Sequence, residues 1–132
     1  MIGMIGENGS QEKIQHFTDL RVWKEGHNLA LGVYRETKNF PKEERFGISS
    51  QMQRAAVSIT SNIAEGFGRV SLREKLNFYT IACGSLLELE NQILLSADLG
   101  FLSHDASVSL RESLTNTHKL INALISSTRS RL

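Results

Sequence analysis

The chain has 132 residues, a formal net charge of +1 at pH 7, 40% hydrophobic residues and 22% charged residues. This length suits one domain, since domains most often run to about 100–150 residues, and a chain of this size can bury a core without disulfides or metal. The single proline argues against a turn-rich all-β fold, and the small net charge excludes any prediction of nucleic-acid binding from overall charge alone.

Residues 1–16 are predicted to form a flexible N-terminal tail, and residues 17–132 a four-helix bundle domain. Glycines punctuate the tail, and its apolar side chains are sparse. The first helix is predicted to begin near Asp19, a good N-cap residue, and to end before Pro41, because the residue before proline is pushed out of the helical region. Its predicted buried face follows spacings of three and four: Val22, Gly26, Leu29, Ala30, Val33 and Thr37.

The second helix is predicted to begin directly at Pro41. Proline has no N–H to lose at the first helical position, and Glu43 and Glu44 suit the positive end of a helix. Gly66 and Gly68 mark its predicted end. Its predicted buried face comprises Ile48, Met52, Ala55, Ala56, Ile59, Ile63 and Phe67.

The third helix has a capping-box signal, because Ser71 is followed three residues later by Glu74. It is predicted to run about 28 residues to Gly100, or roughly 42 Å at 1.5 Å per residue. Gly84 in its middle weakens the helix and would permit the close approach of another helix. Its predicted apolar face comprises Leu72, Leu76, Tyr79, Cys83, Leu86, Leu87, Ile93, Leu94 and Ala97.

The fourth helix is predicted to follow a short loop and to be capped by Ser103 or Asp105. Its predicted buried face comprises Leu110, Leu114, Thr117, Ile121, Leu124 and Ile125. Four amphipathic helices joined by short connections predict an all-α fold, an antiparallel up-and-down four-helix bundle.

A second stripe, of polar residues, runs beside the apolar face of the second helix and continues on the third. Small polar residues such as serine and asparagine suit close helix contacts, where every donor and acceptor needs a partner. One interpretation is helix-to-helix hydrogen bonding, with Arg54 pairing with Glu88 or Glu90 inside the fold or between subunits. The other is that Arg54 and Glu65 contact a ligand or nucleic acid. We call this set the polar seam: Gln51, Arg54, Ser58, Asn62, Glu65, Ser85 and Glu88.

No arrangement of residues indicates a catalytic, metal or cofactor site. The four histidines, at positions 16, 27, 104 and 118, lack the i, i+3 or i, i+4 spacing of a helical metal site. Cys83 lies on the apolar face of the third helix, which predicts a packing role. Arg69 and Arg73 flank the start of the third helix, where a phosphate would be favoured. We therefore treat these two arginines as a hypothetical nucleic-acid contact.

The single cysteine permits no intramolecular disulfide, which fits a reducing compartment. No run of about 20 apolar residues is present, so no membrane span is expected. The N-terminal residues lack the basic start and long apolar stretch of a signal peptide. The cytoplasm is therefore the expected location.

Several strings resemble one bacterial family: DLRVWK, FPKEERFG, RAAVSITSNIAEG and ACGSLLELE, within about residues 17–125. They are similar to the four-helix bundle proteins linked to intervening sequences of 23S ribosomal RNA, sometimes labelled ribosomal proteins. The resemblance implies a left-handed bundle and assembly into a ring, commonly a homopentamer. The resemblance also implies a role like that of the relatives that act as accessory proteins of diversity-generating retroelements, in which the basic ring engages reverse transcriptase and nucleic acid.

Two functional hypotheses follow, and both assign no cofactor. The first is a non-catalytic homo-oligomeric scaffold or interaction protein, with an RNA association. The alternative is a nucleic-acid-binding accessory subunit that partners a reverse transcriptase or ribosomal RNA, which requires the bases of residues 21–45 and 100–132 to converge on one assembled surface. An enzyme would need a cluster of titratable groups in a concave pocket.

Overall fold

The computed structural model describes residues 13–132, and within them it contains four α-helices and no strand. Consecutive helices are joined by short loops and pack antiparallel, α4 returns against α1, and the most extensive contact is between α2 and α3. The predicted all-α four-helix bundle is confirmed. Among the described helices, none is long and apolar enough to cross a membrane. The helices are α1 (Arg21–Thr37), α2 (Ile48–Gly68), α3 (Leu72–Asp98) and α4 (His104–Arg129).

The chain enters α1 through a short 3-10 turn, Phe17–Asp19. The Asp19 carboxylate accepts hydrogen bonds of 3.0 Å from the backbone N–H groups of Gln15 and His16, and these bonds lower the pKa of Asp19. The prediction that Asp19 caps the first helix is therefore wrong: its carboxylate binds amides that precede it. α1 begins only at Arg21, and no side chain caps it.

The predicted flexible tail falls mostly on residues 1–12, which lie outside the described part of the chain. Among the remaining tail residues, Ile14 packs against the core. The division of the chain at residue 17 stays a prediction.

α2 begins seven residues later than the sequence predicts. Pro41 precedes a 3-10 turn, Lys42–Glu44, and the acids that were assigned to the first turn of α2 lie in this turn instead. Gly47 then adopts φ −106° and ψ −118°, outside the helical region, so the regular helix begins at Ile48. An irregular connection, which includes this 3-10 turn, therefore joins α1 to α2.

The two remaining helix starts have the predicted serine caps. The Ser71 hydroxyl accepts from the backbone N–H of Glu74 at 3.3 Å, and the Ser103 hydroxyl accepts from that of Ala106 at 3.1 Å. Ser103 is thus the cap of α4. Gly100 ends α3 with φ +80°, a conformation that favours glycine.

The core lies along the bundle axis and receives apolar side chains from all four helices. The predicted faces of α1, α2 and α4 are largely buried, but that of α3 is only partly so. Leu87 and Leu94, predicted to be in the core, are exposed, and Ala82 and Leu89 are buried. α3 carries apolar residues around most of its circumference, so its packing against α2 and α4 decides which of them are covered. The largest fully buried side chains are those of Tyr79, Leu29, Met52, Ile59, Ile63, Leu86, Leu89, Ile93, Ile121, Val22, Val33 and Thr117.

Gly66 allows α3 to approach the last turn of α2. A Cβ atom on Gly66 would lie 2.5 Å from Cε1 and 2.8 Å from Cδ1 of the buried Tyr79 ring, and real Cβ contacts are not this short. A Cβ atom on Gly68, two residues further, would meet nothing within 4 Å. The absence of a side chain at Gly66 is therefore a packing requirement.

We predict that Gly66→Ala lowers the free energy of unfolding by about 1–3 kcal/mol, because the new methyl group must displace the Tyr79 ring. Gly68→Ala is the matched control and should change it by no more than about 0.5 kcal/mol, as for other surface substitutions. Urea denaturation followed by circular dichroism measures both. Equal effects of the two substitutions would contradict the packing role of Gly66.

Candidate functional site

The inner half of the polar seam lies between α2 and α3 and is satisfied within the chain. The Ser58 and Ser85 hydroxyls are hydrogen-bonded at 2.8 Å. The Asn62 amide donates to the backbone carbonyl of Ser58 at 2.7 Å and to its hydroxyl at 3.1 Å. Because hydrogen bonding satisfies polar groups that are partly removed from water, these three residues join the two helices.

The outer half of the polar seam faces away from the core. Gln51, Arg54, Glu65 and Glu88 are all exposed. Glu65 forms a salt bridge with Arg69, with 3.1 Å between Oε2 and Nη2. Among the described residues, Arg54 forms no salt bridge with Glu88 or with Glu90. The pairing of Arg54 inside the fold is therefore not observed, and its cationic group stays available.

Two further polar residues of α3 are buried. Ser96 is fully buried, and its hydroxyl donates to the sulfur of Met52 at 3.4 Å. Gln92 is also buried, and its Oε1 atom has no hydrogen-bond partner within residues 13–132. Gln92 continues the predicted polar stripe of the third helix four residues after Glu88, but Ser96, four residues further on, was not predicted.

The corner between α2 and α3 is stabilised by its own side chains. Arg69, besides its salt bridge, lies with its guanidinium 4.8 Å from the centroid of the Phe78 ring. The Lys75 ammonium donates to the backbone carbonyls of Gly66 and Phe67 at 3.2 and 2.7 Å. Burial lowers the pKa of Lys75, and the positive charge of Arg131 lowers it further.

The two arginines proposed to contact nucleic acid differ in their surroundings. Arg69 is engaged by Glu65, and Arg73 is exposed on the first turn of α3. The start of α3 is already occupied by the Ser71 hydroxyl and carries the acidic Glu74. An incoming phosphate would have to compete with these groups.

The outer face of α3 carries a row of large apolar side chains. They extend from Ile81 to Leu99, the residue after the end of α3, which is about 27 Å at 1.5 Å per residue. Gly84 lies on the same side, and a Cβ atom placed on it would meet nothing within 4 Å. We call this surface the α3 outer face; its apolar members, each 43–56% exposed, are Ile81, Leu87, Leu94, Leu95 and Leu99.

A groove of about 510 Å³ lies between the C-terminal half of α1 and the irregular connection to α2. Its wall is braced by Gln53 of α2, whose amide donates to the Thr37 hydroxyl of α1 at 3.0 Å. Sequence reasoning did not identify this groove, because its residues come together only through the fold. We call it the α1–α2 groove; its lining comprises Tyr34, Thr37, Lys38, Phe40, Pro41, Lys42, Arg45, Phe46, Ser49, Ser50 and Gln53.

Groups suited to metal binding or catalysis are scattered. Residues 13–132 contain no cluster of three or more histidine, cysteine, aspartate or glutamate side chains that could hold a metal ion. His27 stacks on Trp23 with 4.6 Å between ring centroids, and the His16 ring is tilted by 32° against Phe17 with 4.3 Å between their centroids. These two histidines thus belong to an aromatic cluster beside the start of α1.

Cys83 packs against the core from a half-buried position on α3. Its thiol lies 3.9 Å from Oδ1 of Asn122 on α4, and burial raises the pKa of this thiol. The packing role predicted for Cys83 agrees with these contacts. A raised pKa reduces the thiolate fraction, and the thiolate is the reactive species.

Comparison with known proteins identifies one family. The family model described as "23S rRNA-intervening sequence protein" matches residues 18–123. A solved structure from Bacteroides thetaiotaomicron VPI-5482, described as a protein with unknown function from the S23 ribosomal protein family, is similar in fold. Its TM-score is 0.74 at 24% sequence identity, over 80% of this chain and 95% of that chain. A search of curated proteins finds no significant match.

We predict that Cys83 reacts with Ellman's reagent more slowly at neutral pH than a small free thiol does, because burial disfavours its thiolate. Because its pKa is raised, the reaction rate of Cys83 should continue to increase with pH beyond the pH at which the rate of a free cysteine becomes constant. Stopped-flow absorbance measures the rate, and the urea-denatured chain serves as the control. A native rate equal to the denatured rate would contradict the burial of this thiol.

Proposed function

Because the chain belongs to the 23S rRNA-intervening sequence protein family, we propose that it is a non-catalytic, homo-oligomeric helical-bundle scaffold with an RNA association. The α3 outer face is the observation that carries the oligomeric part of this proposal. The RNA association rests on the family description. A cytoplasmic location belongs to the same proposal.

The α3 outer face supports self-association through the five large apolar side chains that it exposes along one side of a helix. Single exposed apolar residues are common on monomers, but a contiguous apolar surface marks a site of interaction. The five large side chains of this face occupy one side of the longest helix, and burial of apolar area is the main favourable term in association. A second copy of the chain would cover them.

Gly84 adds a geometric reason. Nothing in the described part of the chain approaches it, so its lack of a side chain serves no contact within the bundle. A glycine in mid-helix costs about 1 kcal/mol relative to alanine. Small residues allow two helix backbones to approach closely. We propose that a helix from another copy approaches α3 at Gly84, between Ile81 and Leu87.

Exposed charges on the α2–α3 surface fit the same arrangement. Arg54 on α2 and Glu88 on α3 are both exposed, and they form no salt bridge with each other within the chain. Complementary charges at the rim of an interface set the register between partners. We propose that Arg54 of one copy pairs with Glu88 of its neighbour. The family resemblance implies that five copies close into a ring.

The alternative function is a nucleic-acid-binding accessory subunit that partners a reverse transcriptase or ribosomal RNA. Three bases within residues 21–45, namely Lys38, Lys42 and Arg45, line one groove, which supports a basic surface on each copy. Assembly into a ring would repeat this surface around the oligomer. If substitution of these three bases by acidic residues leaves RNA binding unchanged, the groove no longer supports this function.

We predict that the double substitution Leu87→Glu and Leu94→Glu converts the oligomer into a monomer of 14.8 kDa without unfolding it. Both residues are exposed, so the charges are tolerated in the separate chain but not beneath a second copy. Size-exclusion chromatography with light scattering measures the mass. Leu31→Glu on α1, where leucine is 50% exposed, is the control and should leave the mass unchanged. A monomeric unsubstituted chain at micromolar concentration would refute the proposal.

We predict that Arg54→Glu and Glu88→Arg each weaken the oligomer by about tenfold or more in dissociation constant, because each places like charges together. The two substitutions combined should restore most of the loss, since the pair is then reversed. Analytical ultracentrifugation over a concentration series measures the dissociation constants. Additive losses in the double variant would contradict the pairing.

A further inference from the structure

Phe46, in the connection between α1 and α2, is an aromatic side chain that the bundle leaves almost uncovered. Its side chain is 88% exposed, so it contributes little to folding. The Arg45 guanidinium lies 5.3 Å from the centroid of its ring, so an apolar surface and a positive charge lie side by side. Aromatic and arginine side chains are enriched at protein interfaces and dominate their binding energy. This pair therefore has the composition of an interface anchor.

Arg45 has no acidic partner in its own chain. Within residues 13–132 it forms no salt bridge, although two acids are close in sequence. Glu43 is exposed on the 3-10 turn, and Glu44 lies with its carboxylate against Gly47. The described residues that line the α1–α2 groove include three bases and no acid. The charge of Arg45 is thus available to an acid from outside the chain.

The α3 outer face carries the complementary charge. From residue 76 to its end at Asp98, α3 contains three acids, Glu88, Glu90 and Asp98, and no base. Asp98 is exposed and lies directly before Leu99 and about one turn after Leu95. This end of the face therefore presents leucines with an acid beside them. Such a surface complements an aromatic ring with a base beside it.

The same acids argue against a contact between two α3 outer faces. That contact would bring four exposed acids, Glu88 and Asp98 of each copy, into one interface with no base from α3 to balance them. Like charges placed together in an interface weaken it. A heterologous contact, in which the face meets a different surface of the next copy, avoids this repulsion.

The outer side of α2 connects the groove to Arg54. Ser50 lines the α1–α2 groove together with Phe46. It lies four residues before Arg54, and this spacing places the two residues on the same side of the helix. One continuous surface of the chain therefore runs from Phe46 along α2 to Arg54.

Distances along the helices agree with a contact between this surface and the α3 outer face of a neighbour. Phe46 precedes Arg54 by eight residues, or about 12 Å at the rise of a helix. Leu95 and Asp98 follow Glu88 by seven and ten residues, or about 10 and 15 Å. If the two helices run antiparallel, the proposed pair of Arg54 and Glu88 brings Phe46 to the neighbour's leucines.

The opposite side of the same pair also matches. Val57 follows Arg54 by three residues and is 43% exposed. Gly84 precedes Glu88 by four residues, and the position of its missing side chain is open. In the antiparallel arrangement the valine of one copy therefore reaches the glycine of the next, where a small residue permits close approach.

We propose that the α1–α2 connection of one copy docks on the C-terminal half of the α3 outer face of the next copy. The Phe46 ring packs against Leu95 and Leu99 there, and Arg45 pairs with Asp98. This inference rests on the proposed homo-oligomer and names the second surface of its interface. Because the two surfaces differ, each copy uses both of them, one toward each neighbour.

The first test is cross-linking between two single-cysteine chains, each with Cys83→Ala. One chain carries Arg45→Cys and the other Asp98→Cys, so the Phe46 ring is kept in both. The two chains are co-expressed and treated with a short bismaleimide, and the products are identified by mass spectrometry. We expect a dimer that contains one copy of each chain. A dimer joined through two Asp98→Cys chains would show that two α3 outer faces meet, and would overturn the inference.

The second test measures the anchor itself. Phe46→Ala should raise the dissociation constant of the oligomer by about tenfold or more, as expected for a buried aromatic anchor. Val70→Ala is the matched control, since Val70 is 96% exposed at the α2–α3 corner, and it should change this constant by less than about twofold. Analytical ultracentrifugation measures both variants, and circular dichroism confirms that they fold.

The third test reverses the proposed charge pair. Arg45→Glu and Asp98→Arg should each raise the dissociation constant by about fivefold or more, because each places like charges together. The two substitutions combined should restore most of the affinity. Losses that simply add in the double variant would contradict the pairing.

The inference and the proposed function fail in different ways. An oligomer that dissociates on Leu87→Glu with Leu94→Glu, but not on Phe46→Ala or Arg45→Glu, would overturn the docking of the connection and leave the scaffold in place. A monomeric unsubstituted chain would overturn both.

Discussion

The packing of α2 against α3 is the contact on which the rest of the structure depends. It is the most extensive helix–helix contact in the bundle, and it combines two different requirements. At one end the Tyr79 ring lies where a side chain on residue 66 would be, and only glycine leaves that space. In the middle, the Ser58 and Ser85 hydroxyls satisfy each other across the contact. A slip of either helix by one residue would break both arrangements, so they determine the register of the pair.

This register also decides which side of α3 is left outside. Because α3 is apolar around most of its circumference, burying Ala82, Leu86 and Leu89 necessarily turns Leu87 and Leu94 outward. The same constraint places Gly84 on the uncovered side, where the bundle makes no use of it. The proposed oligomer follows from this division: the residues that α2 does not cover are the ones that a second copy would cover.

The connection between α1 and α2 has a comparable influence on chemistry. Since α2 begins at Ile48 and not at Pro41, the acids Glu43 and Glu44 lie outside its first turn. The start of α2 then lies beside Lys38, Lys42 and Arg45, with Ser49 in the lining of the groove. The α1–α2 groove thus results from a few residues of irregular backbone, and a regular continuation of the helix from Pro41 would have removed it.

The family, the number of helices and most of the helix boundaries could be predicted from the amino-acid sequence. Spacings of three and four residues, serine caps at Ser71 and Ser103 and the glycines that end helices act within a few residues, so they can be recognised without the fold. Ser58, Asn62 and Ser85 were likewise identified as candidates for contacts between helices, because small polar residues suit close packing. Three features could not be predicted: the rotation of α3, the absence of a salt bridge between Arg54 and Glu88 or Glu90 among the described residues, and the α1–α2 groove. Each of these depends on residues from different helices that come within contact distance only after packing, and no local pattern encodes that distance.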